Sequence, residues 1–241
     1  MNRAEQYRLF HCFYPPPYAG PEEQFFRLLG RYLQPGCRVL DAGCGDGSAW
    51  QYSGGREGQI GYLVGVDNNY WSFGSNSIVH ARVQADVICL PFASASFDVV
   101  ACRAVLEHLP EPRLAFAEFR RVLTGEGVVV IHVPNCWHYA QWAARLTPLW
   151  LHRLLVGYLF GRDSHAKHYG ANSWRKLLCL STSVDMEPVE RAMFESAPDY
   201  LAIAAPLYLI GVAIERLLNA TERLAGLRLN IMAVFRPRRL S

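Results

Sequence analysis

Short apolar runs, separated by glycine, proline and polar punctuation, recur along the chain and alternate with segments of helical spacing. The first strong run, 38–40, follows the Pro35-Gly36 break and leads straight into Asp41-Ala42-Gly43-Cys44-Gly45-Asp46-Gly47. Further runs at 62–67, 81–85, 97–102 and 128–133 are each predicted as strands. The run 97–102 stays apolar after Asp98, as a central parallel strand buried on both faces requires. Residues 112–123 place Ala115, Phe119 and Val122 on one face and predict a helix stopped by Gly125. A helix over 172–181 and strands at about 189–194 and 229–235 complete an α/β pattern.

The stretch 39–47 organises the rest. Three glycines at alternating positions let the backbone bend sharply and approach a ligand that a Cβ would block. Asp46 or Ser48 can cap a following helix, leaving amides directed at whatever sits beyond the strand end. That helix is expected to be short, because Ser53-Gly54-Gly55 breaks it. A dinucleotide turn wants G-x-G-x-x-G, yet Ser48 stands where its third glycine belongs. Asp41 would repel a pyrophosphate and suit a ligand carrying ammonium and sulfonium groups. Asp67 ends the second run and can accept two hydrogen bonds from a ribose diol.

Five motifs then stand in order: Val39 to Gly47, Gly65-Val66-Asp67, Ala85-Asp86 with Leu90-Pro91-Phe92, Ser96 to Val100, and Leu106-Glu107-His108-Leu109 before Gly127-Val128-Val129-Val130. Over about residues 35–135 the chain resembles the class I S-adenosylmethionine-dependent methyltransferases, in the type 11 branch that includes ubiquinone and menaquinone methyltransferases. The resemblance implies a Rossmann-like seven-stranded sheet, mostly parallel with the last strand antiparallel, with helices on both faces and a helical insertion after strand five. It implies S-adenosyl-L-methionine as cofactor, released as S-adenosyl-L-homocysteine. The cofactor would be held by Asp41, Gly43, Cys44 and Gly45 in the turn, Asp67 and Asn68 at the ribose, Asp86 and the Val87 amide at the adenine, and Cys102 and Arg103 beyond strand four. Asp86 could instead cap a turn. Arg103 could meet the methionine carboxylate or an anionic acceptor, or simply face solvent.

Substrate and catalytic expectations rest on the flanks. A flap over 1–34 carries Tyr14-Pro15-Pro16-Pro17-Tyr18, in which three prolines hold an extended bend; Tyr14 and Tyr18 are candidates for the acceptor, against a plain packed arm. Trp137, Tyr139 and Trp142 open an insertion over 137–170 that can suit an apolar or aromatic acceptor or merely cover the sheet, and His108 is added to that group. His132, near the end of strand five, is the preferred general base, with His138 and His168 as further candidates, since imidazole titrates near neutral pH. In 201–214 the chain is apolar throughout, and Glu215, Arg216, Asn219, Glu222 and Arg223 make a polar face opposite Ile214, Leu217, Leu218 and Leu224. The run is too short to span a bilayer and suits core packing, dimerisation or peripheral membrane contact.

Composition narrows the picture without changing it. One methyltransferase domain over 1–241 is expected, with 35–135 as cofactor core and 171–241 as C-terminal strands and helices. The net charge of +3 is far from that of a dedicated nucleic-acid binder, so no nucleic-acid partner is expected, and cysteines without a C-x-x-C pair point to a reducing cytoplasm. Histidine spacing predicts no metal. The missing Asn/Asp-Pro-Pro-Tyr/Phe stretch after strand four, where Cys102-Arg103-Ala104-Val105 stands, turns the reading from base or glutamine N-methylation toward an oxygen or carbon of a small acceptor. RNA or protein methylation stays behind it, as does a cofactor-bound enzyme that cyclises or decarboxylates, since fold does not dictate chemistry. The chain is expected as a monomer or homodimer.

Overall fold

The computed structural model describes residues 1–55, 58, 60–69, 79–146, 168 and 170–239. Its α-helices are α1 (Arg3–Phe13), α2 (Pro21–Leu29), α3 (Pro112–Val122), α4 (Tyr139–Leu146), α5 (Trp174–Thr182) and α6 (Ala205–Asn219). Its strands are β1 (Arg38–Ala42), β2 (Tyr62–Asp67), β3 (Ala81–Gln84), β4 (Phe97–Arg103), β5 (Leu123–Pro134), β6 (Met186–Phe194) and β7 (Asn230–Pro237). They form one seven-stranded sheet in the order β3-β2-β1-β4-β5-β7-β6, with one strand antiparallel. β1 pairs in parallel with β2 and β4, β2 with β3, and β4 with β5. The carboxyl ends of β1, β2 and β4 therefore open on one side, where such sheets bind ligands.

Two compact units make up the chain. One consists of Glu22–Pro134, Lys167–Ala192 and Ile231–Ser241; the other of Met1–Pro21, Asn135–Ala166 and Met193–Asn230. The expected flap over 1–34 is divided: residues 22–34 belong to the sheet unit and 1–21 group with α4 and α6.

In the sheet unit the apolar runs are the core: Val39, Leu40, Leu63, Val66, Val100, Val129 and Ile131 are fully buried. α3 adds Ala115, Phe116, Phe119 and Val122, and each buried phenylalanine contributes about 1.5–3 kcal/mol of transfer free energy. Phe116 and Trp174 both meet Phe235 of β7, at ring separations of 5.8 and 6.1 Å. Three predicted boundaries are corrected. Leu123 is buried and pairs with Phe97, so β5 starts directly after α3 and Gly125 lies inside the strand instead of ending the helix. β6 starts at Met186, three residues before the expected 189, and α5 starts at Trp174, where the Ser173 side chain accepts from the Lys176 amide.

In the other unit Tyr14, Ala197, Tyr208 and Val212 form a core with Phe10, Phe13 and Tyr18 around it. α6 faces this core with Tyr208, Gly211, Val212, Glu215 and Leu218, and exposes Leu207, Leu209, Ile210 and Leu217. The expected polar face is thus reversed at Glu215, which turns inward because Tyr14 Oη donates to its Oε2 at 3.2 Å and Asn219 Nδ2 to its Oε1 at 2.7 Å. No described helix is long and apolar enough to cross a membrane.

Candidate active site

The glycine turn at the end of β1 is built by left-handed backbone at Gly43, Gly45 and Gly47, with φ of +78°, +53° and +74°. A 3-10 helix over Ser48–Ser53 follows, short as expected, with Gly47 at its N-cap and no side-chain cap. The turn offers few free amides. Gly43 N and Cys44 N donate to Val66 O at 2.8 and 3.0 Å, Gly45 N donates to Asp67 Oδ2 at 2.9 Å, and Gly47 N to Cys44 O at 2.9 Å. Ser48 N donates to Asp46 Oδ1 at 2.9 Å, closing a turn where a helix cap was foreseen. The expectation of ligand-directed amides at these positions is corrected, because the donors that would cradle a phosphate already have acceptors within the chain.

Carboxylates line the turn instead. Asp41 is 9% exposed, and its Oδ2 accepts the Trp50 indole N–H at 2.7 Å. Burial pushes the Asp41 carboxyl up to about 6, while the Trp50 hydrogen bond and the Arg103 charge pull it down. Asp67 accepts Gly45 N through Oδ2 and Asn69 N through Oδ1, each at 2.9 Å, which fixes the carboxylate while each oxygen keeps a second lone pair for a diol. Asn68 is exposed, and its carbonyl accepts from Gln84 Nε2 at 3.2 Å. The Cys44 thiol, buried and close to Asp41 and Asp67, is pushed up to about 12, and Cys102, wholly buried, is also raised. Both are inert thiols lining the strand ends.

Asp86 is exposed; its Oδ1 accepts Ile88 N at 3.1 Å and its carbonyl accepts Cys89 N, the turn-capping alternative. Val87 beside it is buried. A pair the sequence reading missed holds this segment: Arg121 donates to Phe92 O at 2.6 Å and Leu90 O at 2.9 Å, and Glu118 accepts Leu90 N at 2.7 Å. Arg103, at the end of β4, donates to Glu22 Oε1 of α2 at 3.2 Å. Neither Trp50 nor Glu22 was singled out; the Trp50 signal was a lone aromatic in the short post-glycine segment. The next residue, Ala104, has φ of +55° and donates its N–H to His132 O, a left-handed non-glycine at the strand end.

Of the three candidate bases, His132 and His168 belong to the sheet unit and His138 to the other. His132 is buried on β5, in register with Arg103 and 6.4 Å from the Phe25 ring, so it stands at the strand ends. His168 is exposed and donates its backbone N–H to Glu107 O at 2.8 Å. His138 belongs to the other unit, fully buried, with Nδ1 accepting Ala140 N at 3.2 Å and Nε2 3.1 Å from Glu195 Oε2. Both its ring nitrogens are engaged, so the expectation of a base there is corrected to a structural role. His108 is half-buried, its Nε2 4.0 Å from Glu107 Oε1.

Tyr14 and Tyr18 serve the packed-arm alternative: Tyr14 is 3% exposed and bound to Glu215, and Tyr18 Oη accepts Ala197 N at 2.9 Å. As acceptor contacts they are corrected, since their hydroxyls are taken by the unit's own core. Tyr139 shares a hydrogen bond with Tyr200 beside His138. Trp137 and Trp142 are exposed, with rings 6.1 Å apart. The remaining insertion residues, 147–167, lie outside the described residues.

Residues 40–131, which hold the whole turn and the ends of β2 and β4, match the family model described as a methyltransferase domain, type 11. That stretch is what the chain shares with the S-adenosylmethionine-dependent methyltransferases. An uncharacterised chloroplastic methyltransferase of Arabidopsis thaliana is 33% identical over 130 residues, covering 47% of this chain and 35% of that one. The ubiquinone/menaquinone biosynthesis C-methyltransferase of Ralstonia nicotianae is 26% identical over 166 residues, covering 63% and 65%. Among solved structures, the (4+2)-cyclase SpnF superposes with a TM-score of 0.58 at 15% identity, over 90% of this chain and 81% of that one, a likeness of fold alone. The first relatives are matched over only 35% to 50% of their own length. S-adenosylmethionine is the cofactor of this methyltransferase family.

Proposed function

We propose that the protein transfers a methyl group from S-adenosyl-L-methionine to an oxygen or carbon nucleophile of a small apolar or aromatic acceptor. One observation carries the cofactor half of this reading: a glycine turn whose Gly43, Cys44, Gly45 and Gly47 amides are satisfied internally and whose strand ends present Asp41 and Asp67. Such a turn repels a phosphate and suits a ligand with a cationic end and a ribose diol. Asp67 would hold the diol, Asp86 and Val87 the adenine, and Asp41 the cationic end, with Arg103 answering the carboxylate.

The bound cofactor supplies an activated methyl on a sulfonium, a good leaving group, so the protein chiefly aligns the reactants, worth about 7–11 kcal/mol at best. A hydroxyl acceptor must also lose a proton. Among the three histidines considered, His132 stands in register with Arg103 at the strand ends and is the base we assign.

The test is to supply cofactor carrying a labelled methyl together with cell extract split into lipid, polar-metabolite, RNA and protein fractions. Enzyme-dependent label in the organic-soluble fraction is the expected result, and label confined to RNA or protein overturns the acceptor class. Binding of NAD in preference to S-adenosylhomocysteine would overturn the cofactor reading.

A further inference from the structure

Asp41 is the buried charge of the site, and its surroundings are built around Trp50. The Trp50 ring is fully buried, lies edge-on to Phe26 at 5.0 Å, and its amide donates to Gly47 O at 3.2 Å, so the 3-10 helix after the turn holds it rigidly. Its Nε1–H meets Asp41 Oδ2 at 2.7 Å, a short charge-assisted bond, and Oδ1 carries no other hydrogen bond among the described residues. The other groups whose charges act on Asp41 or answer to it are Arg103 from β4, shared with Glu22 of α2, Asp67 from β2, and the thiols of Cys44 and Cys102. Arg103 favours the ionised carboxyl; burial and Asp67 oppose it.

We infer that Trp50 is a positioning residue for the cofactor: its indole N–H keeps the Asp41 carboxyl ionised and oriented, and so sets the pH above which a cationic ligand is bound tightly. The inference rests on the cofactor reading above. A cationic group pairs with the ionised carboxylate, so affinity is full above the Asp41 pKa and falls below it. Removing the N–H deletes one of the two influences that hold that pKa down, and the fall then begins at higher pH.

Calorimetric titration with S-adenosylmethionine over about pH 5.5 to about pH 9, around the imidazole and carboxyl ranges, separates this from simple packing. In Trp50→Phe the acid limb should move up by about one pH unit, giving a roughly twofold weaker Kd near pH 7 that widens toward about tenfold below pH 6, with convergence on wild type at alkaline pH. An equal loss at every pH, or coincident profiles, overturns the inference. If wild-type protein binds neither S-adenosylmethionine nor S-adenosylhomocysteine at any pH, the cofactor reading itself fails.

A second measurement does not need the Trp50→Phe variant to fold. In unliganded wild-type protein, one of the six tryptophan indole N–H resonances should titrate with a midpoint of about 6 and stop titrating in Asp41→Asn. Absence of any such resonance overturns the inference independently.

Discussion

At Gly43 a single added methyl group tests the geometry of the whole turn. Its φ of +78° lies in the left-handed region, and a Cβ there would stand 2.2 Å from Val105 Cγ2. Left-handed backbone costs an alanine about 1–2 kcal/mol, and forcing a methyl into an occupied contact typically costs about 1–3 kcal/mol more. Val105 cannot swing aside cheaply, because a β-branched side chain is stiff about χ1. Gly43→Ala should therefore lose about 2–5 kcal/mol, a large part of the about 5–15 kcal/mol of an ordinary domain. Urea unfolding of Gly43→Ala, Val105→Ala and the double variant separates the two contributions. In the double variant the Cγ2 clash is gone, leaving a 3.3 Å contact with the residue-105 Cβ, and mainly the backbone strain should remain, about 1–2 kcal/mol beyond Val105→Ala alone. If the two single losses simply add, or if Gly43→Ala falls within about 0.5 kcal/mol of wild type, the close approach of turn and Val105 is not what requires glycine.

Three further outcomes are expected. Arg121→Ala strips partners from the Leu90 and Phe92 carbonyls and should cost about 1–3 kcal/mol while weakening S-adenosylhomocysteine binding in calorimetry; unchanged affinity would mean that this clamp does not set the adenine side. His138→Phe leaves the buried Glu195 carboxylate without its ring partner and should lose about 1–3 kcal/mol, with the initial rate per folded molecule retained; a rate loss at full stability would restore His138 as catalytic. Asp41→Asn should stabilise the protein at neutral pH. The folded carboxyl titrates at about 6 against an ordinary 3.8, so the stability it contributes is full below 3.8 and is lost as pH rises through about 6. Above that range the variant should exceed wild type by roughly 3 kcal/mol, a gain that must shrink on acidification in urea titrations; a pH-independent difference would refute the linkage.

Much of this was legible because it rests on local pattern. Apolar runs bounded by glycine and proline located β1, β2 and β4, since strands buried on both faces read as continuous apolar runs. Asp41 and Asp67 were legible because they stand where runs end. Long-range pairing was not. Glu215 reads as part of a polar helical face, and only the arrival of Tyr14 from 201 residues away explains why it turns inward while Leu217 faces out. Likewise Leu123 reads as the end of a helix until Phe97 pairs with it. Trp50, Glu22 and the Glu118–Arg121 clamp carry no motif at all; their roles exist only through partners brought in by the fold.

The accounting of backbone donors connects the fold to the chemistry. A turn that binds phosphate leaves its N–H groups open, and its ligand completes them. Here Gly43, Cys44, Gly45 and Gly47 all donate within the chain, to Val66, Asp67 and Cys44. These four donors are therefore satisfied before any ligand arrives, and what remains incomplete is charge. Asp41 is buried at a cost that Trp50 and Arg103 offset only in part, as its raised pKa shows. A cation arriving at the strand ends supplies the missing counter-charge. The same burial that weakens the unliganded site at neutral pH thus strengthens its attraction for a positively charged ligand, because the surroundings screen that attraction less than water would. On the proposed cofactor reading, stability given up at Asp41 reappears as affinity, and selectivity for a cationic cofactor over a pyrophosphate would follow from the same carboxylate.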